Sequence, residues 1–205
     1  MTKRLKSLCV FCGSRHGQNP RHTDVARKLG AILAENGISL VYGGGSIGLM
    51  GELARAVHGA GGHVVGVIPR ALATKELQYL DADEQIVTPN MHERKREMFE
   101  RSDAVLTLPG GIGTLEELVE VLSWAYLGFH AKPIFALNTD GYWDRLLQLM
   151  QHMVGEGFAD PRMDHFDHAR SLLRSVDEVT QVVSAIDAAL AYRSELKEED
   201  TADWS

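Results

Sequence analysis

The sequence predicts an α/β fold, a doubly wound parallel sheet with helices on both faces, and three observations carry that expectation. Short apolar runs rich in β-branched residues alternate with segments of helical period, each glycine-rich turn follows a strand-like run, and no linker or internal repeat divides the chain. Strands and helices in alternation imply crossover connections between parallel strands. The chain has 205 residues, 44% hydrophobic and 24% charged, which suits one sizeable core. The expected division is a single nucleotide-binding domain over residues 1–192, then an acidic tail over 193–205 with almost nothing to bury and so no expected structure.

Residues 5–11 (LKSLCVF) read as the first strand, with Gly13-Ser14-Arg15 at its carboxyl end. Residues 22–36 read as a helix whose apolar stripe is Val25, Ala26, Leu29, Ile32 and Leu33, closed by Gly37 as a left-handed cap. A second strand (38–42, ISLVY) leads into Gly43-Gly44-Gly45-Ser46, and Gly48 opens a helix that ends near Gly59. Residues 63–68 (HVVGVI) form a third strand, stopped by Pro69. The segment 70–89 is less periodic and reads as a long loop with a short strand near 85–87, followed by a charge-rich helix over 90–101. Residues 104–108 are a buried strand, broken by Pro109-Gly110-Gly111 before Gly113-Thr114 opens a helix through Leu118, Val121, Leu122 and Ala125. A strand over 132–137, a helix over 142–156, a short extended piece at 171–173 and a last helix over 176–192 complete the series.

Charge and cysteine usage narrow the function. A formal net charge of −7 argues against nonspecific nucleic-acid or membrane-surface binding, which need a basic face. Cys9-x-x-Cys12 lies within a strand and its exit, away from any helix start that would stabilise a thiolate, and no second pair completes a zinc site. The expected setting is reducing and cytoplasmic, since no run is long enough for a membrane span and the start does not read as a signal peptide. His165-x-x-His168 has ligand-like spacing in a late loop with Asp160, Asp164 and Asp167, but it reads as polar surface, so neither a metal nor another cofactor is expected.

The chemistry centres on residues 103–127. A strand, a tight glycine turn and a helix start make an anion site, because first-turn amides have no partner within the helix. Glu117 lies one turn into that helix, on the same face as Gly113. A carboxylate so near an anion opposes pure binding and makes sense where positive charge develops between the two. Glu116 points about 100° away from Glu117, so it reads as a cap or a structural partner rather than a second facing carboxylate. Gly43, Gly45 and Gly48 match a dinucleotide fingerprint only loosely, without the acidic ribose-binding residue, and serve either tight packing or an anion contact. Met91-His92-Glu93-Arg94-Lys95-Arg96 reads on charge pattern as a solvated face. Its place before the organising strand would bring the cations to the sheet's carboxyl ends if the connection allows it.

Three segments together resemble one family. Gly43-Gly44-Gly45-Ser46-Ile47-Gly48-Leu49-Met50-Gly51, Met91-His92-Glu93-Arg94-Lys95 and Pro109-Gly110-Gly111-Ile112-Gly113-Thr114-Leu115-Glu116-Glu117 are similar to the LOG family. These are the plant "lonely guy" cytokinin-activating enzymes and their relatives, long labelled lysine decarboxylases. The resemblance runs over nearly the whole chain to about residue 156. It implies a homodimeric, Rossmann-like phosphoribohydrolase that cleaves the N-glycosidic bond of a cytokinin riboside 5′-monophosphate, giving free cytokinin and ribose 5-phosphate. By the same resemblance Arg94 and Glu117 are catalytic. Glu76, Lys95, Gly111, Ile112, Gly113, Thr114, Leu115 and Glu116 contact substrate, with Ser14, Gly43, Gly44, Gly45, Met50 and Ser123 also assigned there. Ser123 stands where plant members usually carry threonine. Two readings compete: a nucleosidase acting mainly on AMP with the same machinery, and a nucleotide carrier without turnover. A pyridoxal decarboxylase is disfavoured, because Lys95 has cations beside it in sequence and no acidic partner in view for the cofactor's ring nitrogen.

Overall fold

The central strands send alternate side chains into two apolar layers, and the helices sort themselves onto those layers. In the computed structural model, residues 4–73, 79, 81–163 and 171–202 are described, with side chains through residue 193. Among them, β1 (Ser7–Phe11), β2 (Ser39–Tyr42), β3 (Val64–Pro69), β4 (Glu84–Thr88), β5 (Ala104–Thr107), β6 (Ile134–Leu137) and β7 (Leu173–Val176) form one sheet, ordered β4-β3-β2-β1-β5-β6-β7. Every pairing is parallel.

Leu8 and Val10 of β1, Leu40 and Tyr42 of β2 and Leu106 of β5 enter one layer. There they meet α1 (Arg21–Glu35), α2 (Gly48–Gly59) and α6 (Val182–Ala202) through residues such as Leu29, Leu53 and Ile186. Cys9, Phe11, Val41 and Val105 enter the other, against α3 (Met91–Glu100), α4 (Ile112–Tyr126) and α5 (Asp144–Gly155) through Met98, Leu118, Val121 and Leu147. This is the doubly wound architecture expected from the alternation. α1 and α2 approach closely because Gly30 has no side chain: a Cβ there would lie 2.6 Å from that of Ala56. Gly37 takes the left-handed cap conformation at φ +65, and Asn90 caps α3 by accepting the Glu93 amide at 2.9 Å.

The sheet order reverses beside β1, which is where such sheets bind ligands. The chain winds outward from β1 to β4, then α3 returns it to β5 on the other side. Beyond the carboxyl ends the loops interlock: the Leu108 amide donates to Phe11 O at 2.9 Å, Gly13 to Pro109 O at 3.1 Å, and Met50 to Gly13 O at 3.3 Å.

The late elements differ from the sequence expectation. The last strand lies at Leu173–Val176 rather than 171–173, and a short 3-10 turn (Val179–Gln181) precedes α6. α6 runs through Ala202, so much of the tail expected to lack structure continues a helix. Val182, Ile186 and Ala189 anchor the helix in the core, and the residues that follow include Glu, Lys and Leu, which have high helix propensity. The helix expected over 142–156 begins at Asp144, after a 3-10 turn at Thr139–Gly141.

Candidate active site

β5 delivers the chain to the Pro109-Gly110-Gly111 turn, and Gly111 enters α4 in an extended conformation. Gly110 is required sterically, since a Cβ there would lie 2.1 Å from Thr114 Oγ1. Thr114 is buried over it, whereas Gly111 and Gly113 are exposed and a Cβ on either would meet nothing within 4 Å. Open space above a helix N-terminus, bounded by glycines, leaves its amides accessible to an anion. Ile112 is 83% exposed beside it, and Leu115 is partly buried.

One turn into α4, Glu117 meets Arg94 of α3. Arg94 Nη1 lies 2.5 Å from Glu117 Oε1, with both side chains about nine-tenths buried. The guanidinium is oriented by a second bond, Nε to the Val67 carbonyl of β3 at 3.0 Å. Its Nη2 also reaches Gly43, where a Cβ would sit 2.0 Å from Nη2 and 3.1 Å from Met50 Sδ. A Cβ on Gly45 would in turn meet the Met50 methyl at 2.9 Å. Gly43, Gly45 and Met50 are thus brought to the pair, and Gly44 turns the chain between them at φ +72. Burial raises the Glu117 carboxyl above its ordinary range, and the Arg94 charge opposes that rise. Burial likewise pushes the Cys9 and Cys12 thiols up, with Glu117 adding to it, so both stay protonated and free.

The charge-rich helix is divided rather than uniformly solvated. Arg96 and Arg101 lie outward with Glu93 and Glu97, but Arg94 and Lys95 turn inward. Lys95 Nζ lies 2.5 Å from Glu116 Oε1 and 2.8 Å from Glu120 Oε2. Its surroundings are therefore carboxylates, not the cations suggested by its sequence neighbours. Burial alone would lower the Lys95 pKa, but the two carboxylates outweigh it and the net shift is upward. A lysine kept protonated in this way is a poor Schiff-base nucleophile.

Other expected residues stand further off. Ser14 is exposed at the crevice rim, its backbone against Gly48, where φ is +60 and a Cβ would lie 2.2 Å from Ser14 C. Ser123 is exposed, its hydroxyl donating to Val119 O at 2.7 Å, and it is not brought to the Arg94–Glu117 pair. Glu76, His165 and His168 lie outside the described residues. Among the described residues no group of three or more His, Cys, Asp or Glu side chains could hold a metal ion, and no helix is long and apolar enough to cross a membrane. Sequence reasoning places Glu120 on the Glu117 side of the helix but missed its pairing with Lys95, although its spacing of one turn from Glu116 was a usable signal. It also missed the Val67 carbonyl and Tyr142, whose hydroxyl donates to Gly110 O; neither carries a local signature.

A doubly wound α/β protein with an open glycine turn and helix start at its switch point and a buried carboxylate beside it has the architecture of the nucleotide-handling class. The comparisons narrow this. A family described as "Possible lysine decarboxylase" matches residues 50–186. A protein of Oryza sativa subsp. japonica bearing the name probable cytokinin riboside 5′-monophosphate phosphoribohydrolase is 49% identical over 183 residues, 87% of this chain and 81% of that protein. A cytokinin riboside 5′-monophosphate phosphoribohydrolase of Arabidopsis thaliana is 44% identical over 198 residues, 95% of this chain and 87% of that one. The chain belongs to this phosphoribohydrolase family, the LOG family. Among solved structures, the molybdenum cofactor carrier protein of Chlamydomonas reinhardtii superimposes with a TM-score of 0.68 at 22% identity, covering 92% of this chain and 99% of that one. At that identity the likeness concerns the fold alone.

Proposed function

We infer that this protein hydrolyses the N-glycosidic bond of cytokinin riboside 5′-monophosphates, releasing the free base and ribose 5-phosphate. The relatives carry that activity in their names over most of this chain's length. The observation that supports it most is the buried Arg94–Glu117 pair set one turn from the open start of α4.

The 5′-phosphate sits on the first-turn amides of α4, around Gly111, Ile112, Gly113 and Thr114, where the helix dipole favours an anion. This places C1′ toward Glu117. As the bond to the base breaks, the ribosyl centre gains oxocarbenium character, and an ionised Glu117 stabilises it and orients or deprotonates the attacking water. Water supplies hydroxyl to C1′, and the departing base takes a proton. Arg94 fixes the carboxylate and holds substrate over Gly43. Lys95 neutralises Glu116 and Glu120, two carboxylates that would otherwise repel the phosphate. Leu115, Met50, Gly44, Gly45 and Ser14 bound the nucleotide, and Glu76 belongs to the same set by family resemblance. Phosphate binding supplies energy spent at C1′, so the riboside without phosphate reacts poorly.

Ile112, Val119 and Tyr126 are 83%, 46% and 40% exposed and recur along one stripe of α4 that also carries Ser123. An apolar helix stripe of this kind favours a homodimer, in which Ser123 would serve the partner's nucleotide. The free, buried thiols favour a reducing, cytoplasmic setting. Base release from isopentenyladenosine 5′-monophosphate, with Glu117→Gln as control, tests the reading: release by the parent protein and none by the variant is expected. Binding without release would favour a carrier, and preferred turnover of AMP would make the enzyme a general nucleotide nucleosidase.

A further inference from the structure

The chain leaving β6 makes a strained turn. Asp140 occupies the left-handed region at φ 54, and Gly141 follows at φ +71. A non-glycine residue keeps that conformation only where its surroundings fix it. Here Asn19 Nδ2 donates to Asp140 Oδ2 at 2.7 Å and Arg21 Nε lies 3.5 Å from Oδ1. The turn determines where the next side chain goes. Tyr142 Oη donates to the Gly110 carbonyl at 2.5 Å. Its ring meets His22 edge-on at 5.6 Å between centroids and Trp143 at 4.9 Å, both of them buried.

The bond falls on an easily rotated peptide of the turn. The Gly110–Gly111 plane is flanked by glycine on both sides, so no Cβ restrains its rotation. In a trans peptide the carbonyl and the amide point in opposite directions. Anchoring Gly110 O on Tyr142 therefore also aims the Gly111 amide. The neighbouring carbonyls are engaged too: Pro109 O accepts from Gly13 and Gly111 O from Leu115. Successive carbonyls of the turn are thus tied to β1's exit, to α5's entry and to α4 itself, and none is left to meet an approaching anion.

We propose that Tyr142 is a positioning residue for the phosphate-binding turn: its hydroxyl locks the Gly110–Gly111 peptide so that the Gly111 amide faces the substrate's 5′-phosphate. The ligand in this statement rests on the phosphoribohydrolase reading. Tyr142→Phe removes the hydroxyl and keeps the ring against His22 and Trp143. The test is calorimetric titration of parent and variant with ribose 5-phosphate and with adenine, alongside steady-state kinetics on the monophosphate. The variant is expected to bind ribose 5-phosphate about five- to tenfold more weakly and to raise KM for the monophosphate by a similar factor. With kcat unchanged within about twofold, the lost interaction is one of binding rather than of the transition state. Adenine affinity and the unfolding temperature should stay as in the parent. Unchanged ribose 5-phosphate affinity would overturn the proposal, as would an equal loss for adenine or a fall in kcat with KM unmoved. A parent protein that binds ribose 5-phosphate but releases no base would overturn the enzymatic reading alone, while the binding comparison would still decide the role of Tyr142.

Discussion

In the proposed reaction Glu117 acts as the ionised carboxylate, yet it sits where burial favours the neutral acid. Arg94 and Lys95 favour the charge and Glu116 opposes it, but burial outweighs them and the net shift is upward. Activity that needs the carboxylate should rise with pH through a carboxyl pKa above the usual range. The acid limb of kcat/KM should therefore move further up in Lys95→Met, which removes a cation, and down in Glu116→Gln, which removes an anion. A limb that ignores both changes would detach Glu117 from the chemistry. Stability offers a second check on the pair. Arg94→Met strands a buried carboxylate and should cost about 3–5 kcal/mol, whereas combining it with Glu117→Gln should recover part of that loss in denaturant titrations. Arg94 and Glu117 were identified from sequence by family resemblance, and Glu117's position one turn past Gly113 gave a physical reason as well. The partnership of Lys95 was not legible, because residues beside it in the chain say nothing about those arriving from α4.

At the scale of elements, glycines separate structural from functional positions. Gly113 has open space where a Cβ would go, so Gly113→Ala should leave the fold intact, and stabilise α4 by about 0.5–1 kcal/mol, while crowding the phosphate and raising KM. Gly43→Ala should do the reverse to the chemistry: its Cβ would displace the Arg94 guanidinium, and kcat should fall with little change in the sheet. A Gly113→Ala enzyme with unaltered KM would place the phosphate elsewhere. The junction of α1 and α2 has its own signature. Glu52 accepts from Arg27 at 2.7 Å and Arg55 at 2.9 Å, and Arg55 also donates to Ser46 O in the second glycine turn. Burial opposes ionisation of Glu52, but these donors and His16, 3.3 Å away, lower its pKa from 4.5 to about 2. A depressed carboxyl contributes stability above its unfolded value and loses it as pH falls through the folded one. Parent protein should thus lose stability between pH 4.5 and 2 more steeply than Glu52→Gln in acid unfolding.

At the scale of the molecule, the parallel, doubly wound character of the sheet was legible in the pattern, whereas its strand order and its edges were not. Buried strands such as β1, β2 and β5 announce themselves by unbroken apolar runs, and the glycine turns after them mark the crevice where they converge. β7 and the end of α6 were harder, since a partly buried edge strand carries polar residues and the acidic sequence after Tyr192 has no apolar stripe to show. The site is a property of the whole fold: β3 orients Arg94, α4 supplies Glu117, and β1, α4 and α5 together hold the glycine turn. That cooperation suits the proposed phosphate-dependent N-glycosidase, in which phosphate would bind at the start of α4 and the bond would break one turn away. The most direct measurement is product analysis after incubation with isopentenyladenosine 5′-monophosphate, its unphosphorylated riboside and AMP in parallel. The account predicts free isopentenyladenine and ribose 5-phosphate in equal amounts from the first, little base from the riboside, and less from AMP. Equal turnover of riboside and monophosphate would contradict it, as would no base release from any of the three.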